Sequence, residues 1–213
     1  MLSDLCGVQL GLDTVSKFLK GLNFKRLKTG AVPKKADPAI QKVFEENELQ
    51  PRLQEAKEGR RKVFFVDAAH LLWGSFLGYL WCRVRHFVSG AHGRDRFNIL
   101  GALEVQSHEF HYVSNDSYVD RWSVVDLIIK IAKEKYPTPV TIVLDNAAYQ
   151  HASVVKWIAE YYQIELLYLP SYSPNLNLIE RFWKFLRSNV LNNKDYESFE
   201  CMKRGVYAFV KNL

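Results

Sequence analysis

Two short hydrophobic runs in this chain each end in an aspartate. The runs Val63–Asp67 and Val140–Asp145 have strand length and are rich in β-branched and aromatic residues. The segment from Val119 to Lys135 between them has the apolar spacing of a helix. A helix joining two strands predicts a right-handed βαβ crossover. The runs therefore favour an α/β domain in which two strands each deliver a carboxylate at their carboxyl end.

Other segments complete a mixed α/β prediction. After Asp67 we expect a meander of three strands. The apolar patterns also predict one further strand and three more helices. In order, the predicted segments are helix 39–57, strands 78–87, 96–104 and 109–113, helix 152–162, strand 165–169 and the helix that contains Glu180. In helix 119–135 the predicted inward face comprises Trp122, Val125, Ile128, Ile129 and Ala132.

A third acid, Glu180, follows Asp145 with 34 residues between them. Ser173 can cap its helix, with Pro174 as the first helical residue. Glu180 shares its three- and four-residue spacing with Leu176, Ile179, Trp183 and Leu186. This spacing predicts that the carboxylate is on the face that packs toward the sheet. A charge on that face needs a partner.

Three carboxylates gathered at one sheet edge repel one another at low dielectric, so such a cluster is expected to hold cations. Open α/β sheets bind ligands beyond the carboxyl ends of their strands. Mg²⁺ prefers oxygen ligands, and two such ions can assist phosphoryl transfer on nucleic acid. The alternative is that Asp67 and Asp145 cap loops, while Glu180 pairs with Arg181 or Arg187 at the surface.

The segments around the three acids resemble, in order and spacing, the catalytic segments of mariner-like transposases, in particular the bacterial insertion-sequence branch with a D,D,34-residue-gap,E triad. They are Phe65-Val-Asp-Ala-Ala-His70, Leu144-Asp-Asn-Ala-Ala-Tyr149 and Leu169-Pro-Ser-Tyr-Ser-Pro-Asn-Leu-Asn-Leu-Ile-Glu-Arg-Phe-Trp183. The run from Gly93 to Leu103 is similar to the central strand of that family.

The resemblance implies an RNase H-like catalytic domain, a mixed sheet flanked by helices. It also implies that two Mg²⁺ or Mn²⁺ ions serve to cut double-stranded DNA at transposon terminal repeats and to join the freed 3′ hydroxyl to a TA target. By motif position, Asp67, Asp145 and Glu180 take the catalytic and metal-ligand roles, and Asn146 a supporting one. A homodimer on the DNA is expected from the same resemblance.

The chain departs from the family pattern at several positions. Asn175 and Leu178 stand where the family often has an acid and a proline, and Gln150 stands where it often has a histidine, with His151 one residue later. Family members usually carry two helix-turn-helix subdomains, whereas this chain begins within what resembles the second. The alternative functions are therefore a truncated, non-catalytic DNA-binding remnant of a transposase and a host RNase H-type nuclease.

Composition and pattern suggest three parts: a partial helix-turn-helix piece at 1–33, a helical connector at 34–59 and the catalytic domain at 60–213. In the first, 13–20 predicts a helix capped by Asp13 or Thr14, and 7–11 resembles a helix-turn-helix turn. An amphipathic helix that packs on the main domain fits this pattern equally well.

Basic residues beside that helix favour a polyanionic partner, in keeping with the net charge of +6. The three cysteines form no CxxC pair, which argues against a disulfide framework and a zinc ribbon. We expect a cytoplasmic protein, since no segment has the pattern of a secretory signal or a membrane span. The candidate DNA contacts are Lys25, Arg26, Lys28, Lys34 and Lys35.

Overall fold

The computed structural model describes residues 11–25, 37–73, 83, 95–192, 194 and 196–212. The chain divides into two compact units, Met1–Lys34 and Lys35–Leu213. The predicted strand at 78–87 lies outside the described residues, apart from Arg83. No described helix combines the length and the apolar character that crossing a membrane requires.

The first unit contains one described helix, α1, at Leu12–Gly21. Gly11 precedes it in an extended conformation, and no side chain caps it. The expected cap by Asp13 or Thr14 is wrong, because both residues lie inside the helix, where their side chains cannot occupy the capping position. Most of the predicted helix-turn-helix turn lies outside the described residues, so that motif stays a prediction.

The described helices and strands of the second unit follow the predicted order, apart from a C-terminal helix that was not predicted. The helices are α2 (Pro38–Phe44), α3 (Gln50–Lys57), α4 (Arg121–Lys133), α5 (Ser153–Tyr161), α6 (Ile179–Leu186) and α7 (Phe199–Lys211). The strands are β1 (Lys62–Leu72), β2 (Arg96–Glu104), β3 (Phe110–Asn115), β4 (Val140–Leu144) and β5 (Ile164–Tyr168). π-Helical turns at Glu45–Leu49 and Arg187–Leu191 continue α2 and α6.

The described strands form one mixed sheet in the order β3-β2-β1-β4-β5. β1, β4 and β5 are parallel, while β2 and β3 run antiparallel to their neighbours. The parallel pairing of β1 with β4 requires a crossover, and α4 lies in the segment between them. The predicted mixed sheet flanked by helices is confirmed.

Alternating side chains of β1 supply two separate hydrophobic cores. Phe64 and Val66 belong to the core with α4 and α5, whereas Val63 and Phe65 belong to the core with α6 and α7. Successive strand residues point to opposite faces, so each core takes every second residue. By the same alternation, Asp67 lies on the face covered by α6.

Two boundary predictions are corrected by the structure. β1 does not end at Asp67 but continues to Leu72, because β2 pairs with it along this whole extension. On α4, Trp122 is 57% exposed, whereas Val125 and Ile128 are buried as expected. Trp122 belongs to the first turn, next to the Asp120 cap, where a side chain can project beyond the edge of the core.

An ion-pair network attaches α3 to the sheet. Arg52 Nε donates to Glu165 Oε1 at 3.0 Å, and Arg61 Nη1 donates to Glu165 Oε2 at 2.9 Å. The hydroxyl of Thr141 donates to the same carboxylate at 2.7 Å. The hydrogen bonds from Arg52 hold the pKa of Glu165 below its ordinary value. The segment predicted as a connector therefore packs on the sheet within the second unit.

A buried carboxylate, Glu104, organises the turn between β2 and β3. Its Oε2 accepts hydrogen bonds from the backbone N–H of Gln106 at 2.9 Å and of Ser107 at 2.6 Å, and from the Ser107 hydroxyl at 2.8 Å. Lys62 Nζ lies 3.6 Å away. Burial alone would raise the pKa of Glu104, but these donors and Lys62 outweigh it and leave the pKa lowered.

We predict that Glu104→Gln lowers the free energy of unfolding at pH 7 by about 1–3 kcal/mol, because an amide replaces the carboxylate that accepts these bonds. A lowered folded-state pKa stabilises the protein above the unfolded pKa of about 4.5, and this contribution is lost as the pH falls through the folded value. Urea unfolding at pH 7 and near pH 4 should show that the difference in free energy of unfolding between the wild type and Glu104→Gln shrinks at acid pH. Glu160→Gln, at an exposed site on α5, is the control and should change neither value.

Candidate active site

The register of the parallel strands brings Asp67 and Asp145 side by side. Phe65 pairs with Val143. Two residues further along each strand direction are Asp67 and Asp145, which therefore lie level on the same face of the sheet. Neighbouring strands are about 4.8 Å apart, so the backbone alone places the two carboxylates next to each other.

The segment before Glu180 differs from the expected continuous helix. A 3₁₀ turn at Pro174–Leu176 ends at Asn177, and α6 begins only at Ile179. Ser173 precedes the turn but makes no capping bond through its side chain, so its expected role is wrong. The cause is Asn177, whose buried side chain donates from Nδ2 to the carbonyl of Val66 at 3.2 Å. This bond ties the start of α6 to the strand that carries Asp67.

One cavity gathers the three predicted acids. It has a volume of ≈ 200 Å³ and is lined by Asp67, Asp145, Leu169, Pro170, Tyr172, Ser173, Pro174, Asn177 and Glu180. None of the ion pairs in the described part of the chain joins Glu180 to Arg181 or Arg187. The alternative of a surface-paired Glu180 is therefore not what the structure contains.

The electrostatics of the cavity are unfavourable for three free carboxylates. Burial, followed by the negative charge of Asp145 and then that of Glu180, raises the pKa of Asp67 to about 7. Burial and the charges of Asp145 and Asp67 likewise raise the pKa of Tyr149 to about 12. The described residues that line the cavity include no cationic side chain to compensate this negative charge, which is the situation in which a bound metal ion stabilises the site.

The carboxylates share the cavity without closing around a common point. Among the described residues, no three His, Cys, Asp or Glu side chains are gathered tightly enough to hold an ion together. Two other buried polar atoms of the cavity lining, Ser173 Oγ and Asn177 Oδ1, lack a hydrogen-bond partner in the described part of the chain. Unpartnered buried polar atoms are costly, so they indicate a place for a polar ligand.

Asp145 is held by a residue that sequence reasoning treated only as a departure from the family. Gln150 Nε2 donates to Asp145 Oδ1 at 2.6 Å, and Gln150 Oε1 accepts from the backbone N–H of Ala147 at 3.0 Å. Gln150 is fully buried. The available signal for this role was the position of Gln150 in the sequence. It lies five residues after Asp145, where the family often has a histidine.

Asn146, the predicted supporting residue, lies in the turn that follows Asp145. Its φ of 72° is in the left-handed region, which asparagine tolerates better than most residues. Its Nδ2 donates to Ser171 Oγ at 3.3 Å, and its Oδ1 is hydrogen-bonded to His151 Nε2. The His151 ring in turn stacks on Tyr168, with centroids 4.2 Å apart. Asn146 thus joins the loop after β4 to the loop after β5.

His70 is not part of this site. It is an odd number of residues from Asp67 on the same strand, so its side chain lies on the opposite face. Its Nδ1 is 2.7 Å from Asn98 Oδ1, an arrangement that holds β1 against β2.

Comparison with known proteins identifies the family of this chain. The family model described as "DDE superfamily endonuclease" matches residues 83–203, more than half of the chain. The chain belongs to this family. The matched range includes Asp145 and Glu180, and Asp67 precedes it. No protein of curated function matches the sequence.

Solved structures of Mos1 transposase share the fold. The Mos1 paired-end complex with the left transposon end has a TM-score of 0.64 and 13% identity, covering 100% of this chain and 69% of that one. The Mos1 mariner paired-end complex with Mn has a TM-score of 0.62 and 14% identity, covering 100% of this chain and 70% of that one. The catalytic domain of Mos1 mariner transposase has a TM-score of 0.59 and 14% identity, covering 86% of each chain.

The RNase H-like fold and the resemblance to mariner-like DDE enzymes are therefore confirmed. The assignment to the bacterial insertion-sequence branch stays a prediction, because the related structures are of mariner Mos1.

We predict that Gln150→Leu lowers the free energy of unfolding by about 1–3 kcal/mol, since the Ala147 N–H loses its acceptor and Asp145 its donor. The freed Asp145 side chain should also reduce endonuclease activity by about 10- to 100-fold. Urea unfolding and a cleavage assay measure the two effects. Gln54→Leu, at an exposed position on α3, is the matched control. Wild-type stability and activity in Gln150→Leu would contradict the role given to Gln150.

Proposed function

We propose that this chain is a DNA transposase that cuts DNA at transposon ends and joins the freed strand to target DNA. The observation that carries the proposal is the convergence of Asp67, Asp145 and Glu180, from β1, β4 and α6, on one cavity. Membership of the DDE endonuclease family supports the reaction class. The solved relatives, which include a Mos1 strand transfer complex, support transposition rather than unspecific DNA cleavage.

The donor set of the cavity fits divalent cations. Three carboxylates supply hard oxygen ligands, and Mos1 complexes have been solved with Mn and with Mg. In our proposal Asp67, Asp145 and Glu180 hold two such ions. When bound, the ions would supply Lewis-acid activation of the attacking oxygen and charge stabilisation of the leaving oxygen.

The protein's own residues prepare this site in three ways. The sheet register fixes the two strand carboxylates level with each other, and the Asn177 bond to Val66 fixes where α6 begins. Burial keeps Asp67 in a low-dielectric environment, where its attraction to a cation is strong. Mutual repulsion of uncompensated carboxylates opposes their gathering, so closure of the triad is coupled to cation binding.

Double-stranded DNA is the proposed partner, with terminal repeats and a TA dinucleotide as its recognised parts. The Mos1 relative was solved with a transposon end. Lys25 is exposed in the first unit, while Arg26, Lys28, Lys34 and Lys35 lie outside the described residues. We retain these five as the proposed phosphate contacts, with binding of two copies to one DNA as the proposed assembly.

We predict that Asp67→Asn, Asp145→Asn and Glu180→Gln each reduce cleavage by at least about a thousandfold while DNA binding is retained, because each change removes a metal-ligating charge. The assay uses a labelled duplex carrying the repeats that flank the gene, with Mg²⁺ or Mn²⁺. EDTA should abolish cleavage by the wild-type chain.

Asp126→Asn is the matched control, because Asp126 is an exposed aspartate on α4. It should cleave like the wild type. If the wild-type chain binds the duplex but never cleaves it with either ion, the non-catalytic remnant replaces the transposase as the better assignment.

A second prediction concerns stability. Mg²⁺ at a hundredfold excess over its Kd should raise the free energy of unfolding of the wild-type chain by about 2.7 kcal/mol per site. Without divalent ions, Asp145→Asn should unfold at a higher temperature than the wild type, because the mutation removes repulsion with Asp67. With Mg²⁺, the order should reverse. Calorimetric melting of both proteins, with and without the ion, measures this, and an Asp145→Asn variant that is less stable in both conditions would refute it.

A further inference from the structure

A glycine interrupts a row of side chains that crosses the sheet beside Asp67. Antiparallel pairing places Gly101 of β2 opposite Asp67 of β1, and Tyr112 of β3 opposite Gly101. Directly opposed residues of neighbouring strands share a face, so Gly101 stands between Tyr112 and Asp67 on the side covered by α6. At this position the row has a gap one side chain wide.

The indole of Trp183 and the ring of Phe110 come together over this gap. A methyl group added at Gly101 would lie 2.6 Å from Phe110 Cζ and 2.8 Å from Trp183 Cη2, closer than real carbon contacts allow. Gly101 has no positive φ, so a backbone requirement does not explain the glycine. The close approach of the two aromatic rings explains the glycine, because it leaves no room for a side chain.

Trp183 is held firmly in this place. It is only 3% exposed. Its ring packs edge-on against Phe110, with centroids 5.8 Å apart, and at a tilt against Phe182, with centroids 5.1 Å apart. An indole has a single hydrogen-bond donor, which must find an acceptor when the ring is buried. The indole N–H donates to Asp67 Oδ2 at 3.0 Å.

We propose that Trp183 is a positioning residue that fixes the orientation of the Asp67 carboxylate for cation binding, and that Gly101 is required because it admits the indole. This inference rests on the proposed metal site. Trp183 lies three residues after Glu180, so one helix delivers both a carboxylate and the donor that orients another carboxylate. A rigid aromatic donor differs from a lysine or arginine because it orients Asp67 without neutralising the charge that attracts the ion.

The first test is Trp183→Phe in the full chain, which keeps an aromatic ring but removes the N–H. Calorimetric titration with Mn²⁺ in the absence of DNA should show an affinity about 10- to 100-fold lower than in the wild type, the usual effect of removing a group that orients a metal ligand. Gly101→Ala, which displaces the ring, should lower the affinity in the same direction. Trp157→Phe, at an exposed site on α5, should bind Mn²⁺ like the wild type.

Cleavage kinetics separate positioning from mere folding. Trp183→Phe should lower kcat and leave the apparent KM for DNA unchanged, because Trp183 acts on Asp67 and not on the duplex. A variant with lower thermal stability but wild-type Mn²⁺ affinity and kcat would overturn the proposal and leave Trp183 a structural residue only.

A measurement on the wild-type chain covers the case in which the variants fold poorly. With indole-¹⁵N-labelled tryptophan, Mg²⁺ should shift the N–H resonance of Trp183 more than the other four tryptophan resonances. Mg²⁺ binding without any change at Trp183 would overturn this inference alone. A wild-type chain that neither binds Mg²⁺ or Mn²⁺ nor cleaves DNA would overturn the proposed function on which it rests.

Discussion

The parallel register between β1 and β4 is the constraint on which the site depends. It sets Asp67 and Asp145 level on adjacent strands, on the face covered by α6. A shift of one residue in this register would turn one carboxylate to the opposite face, toward α4 and α5. The buried residues of the two cores prevent that shift, because every second residue of β1 would exchange its environment. Hydrophobic packing thus determines the position of charge.

Without a bound cation, the same arrangement is electrostatically unfavourable, so the carboxylates that the proposed chemistry needs oppose the folded state. Burial and neighbouring negative charge raise the pKa of Asp67 to about 7, so part of the site's charge is suppressed near neutrality. The hydrogen bonds from Trp183 and Gln150 act on one strand carboxylate each and keep them oriented. Neither donor carries a charge, so the negative potential of the cavity stays available to attract metal ions.

Much of this could be predicted from the sequence because strands, the α4 pattern and the spacing of the acids are local signals. Strand β2 was predicted with its observed bounds, Arg96–Glu104, and the three acids do line one cavity. The extension of β1 beyond Asp67 and the interruption of the expected helix at Asn177 could not be predicted in the same way. Both depend on partners distant in the sequence, the β2 ladder and the Val66 carbonyl. The roles of Gln150 and Trp183 were missed because hydrogen bonds to the carboxylates of Asp145 and Asp67 leave no periodic pattern.

The Asn177 bond to Val66 has a consequence for how this site tolerates evolutionary change in chain length. It anchors the start of α6 to β1, only three residues before Glu180. The interval between Asp145 and Glu180 contains α5, β5 and their loops, which pack against the domain on their own. An insertion in a loop of that interval would change the spacing of the acids in sequence but not their positions in space. The 34-residue gap is thus set by the lengths of this chain's loops, whereas the anchor is a requirement of the geometry.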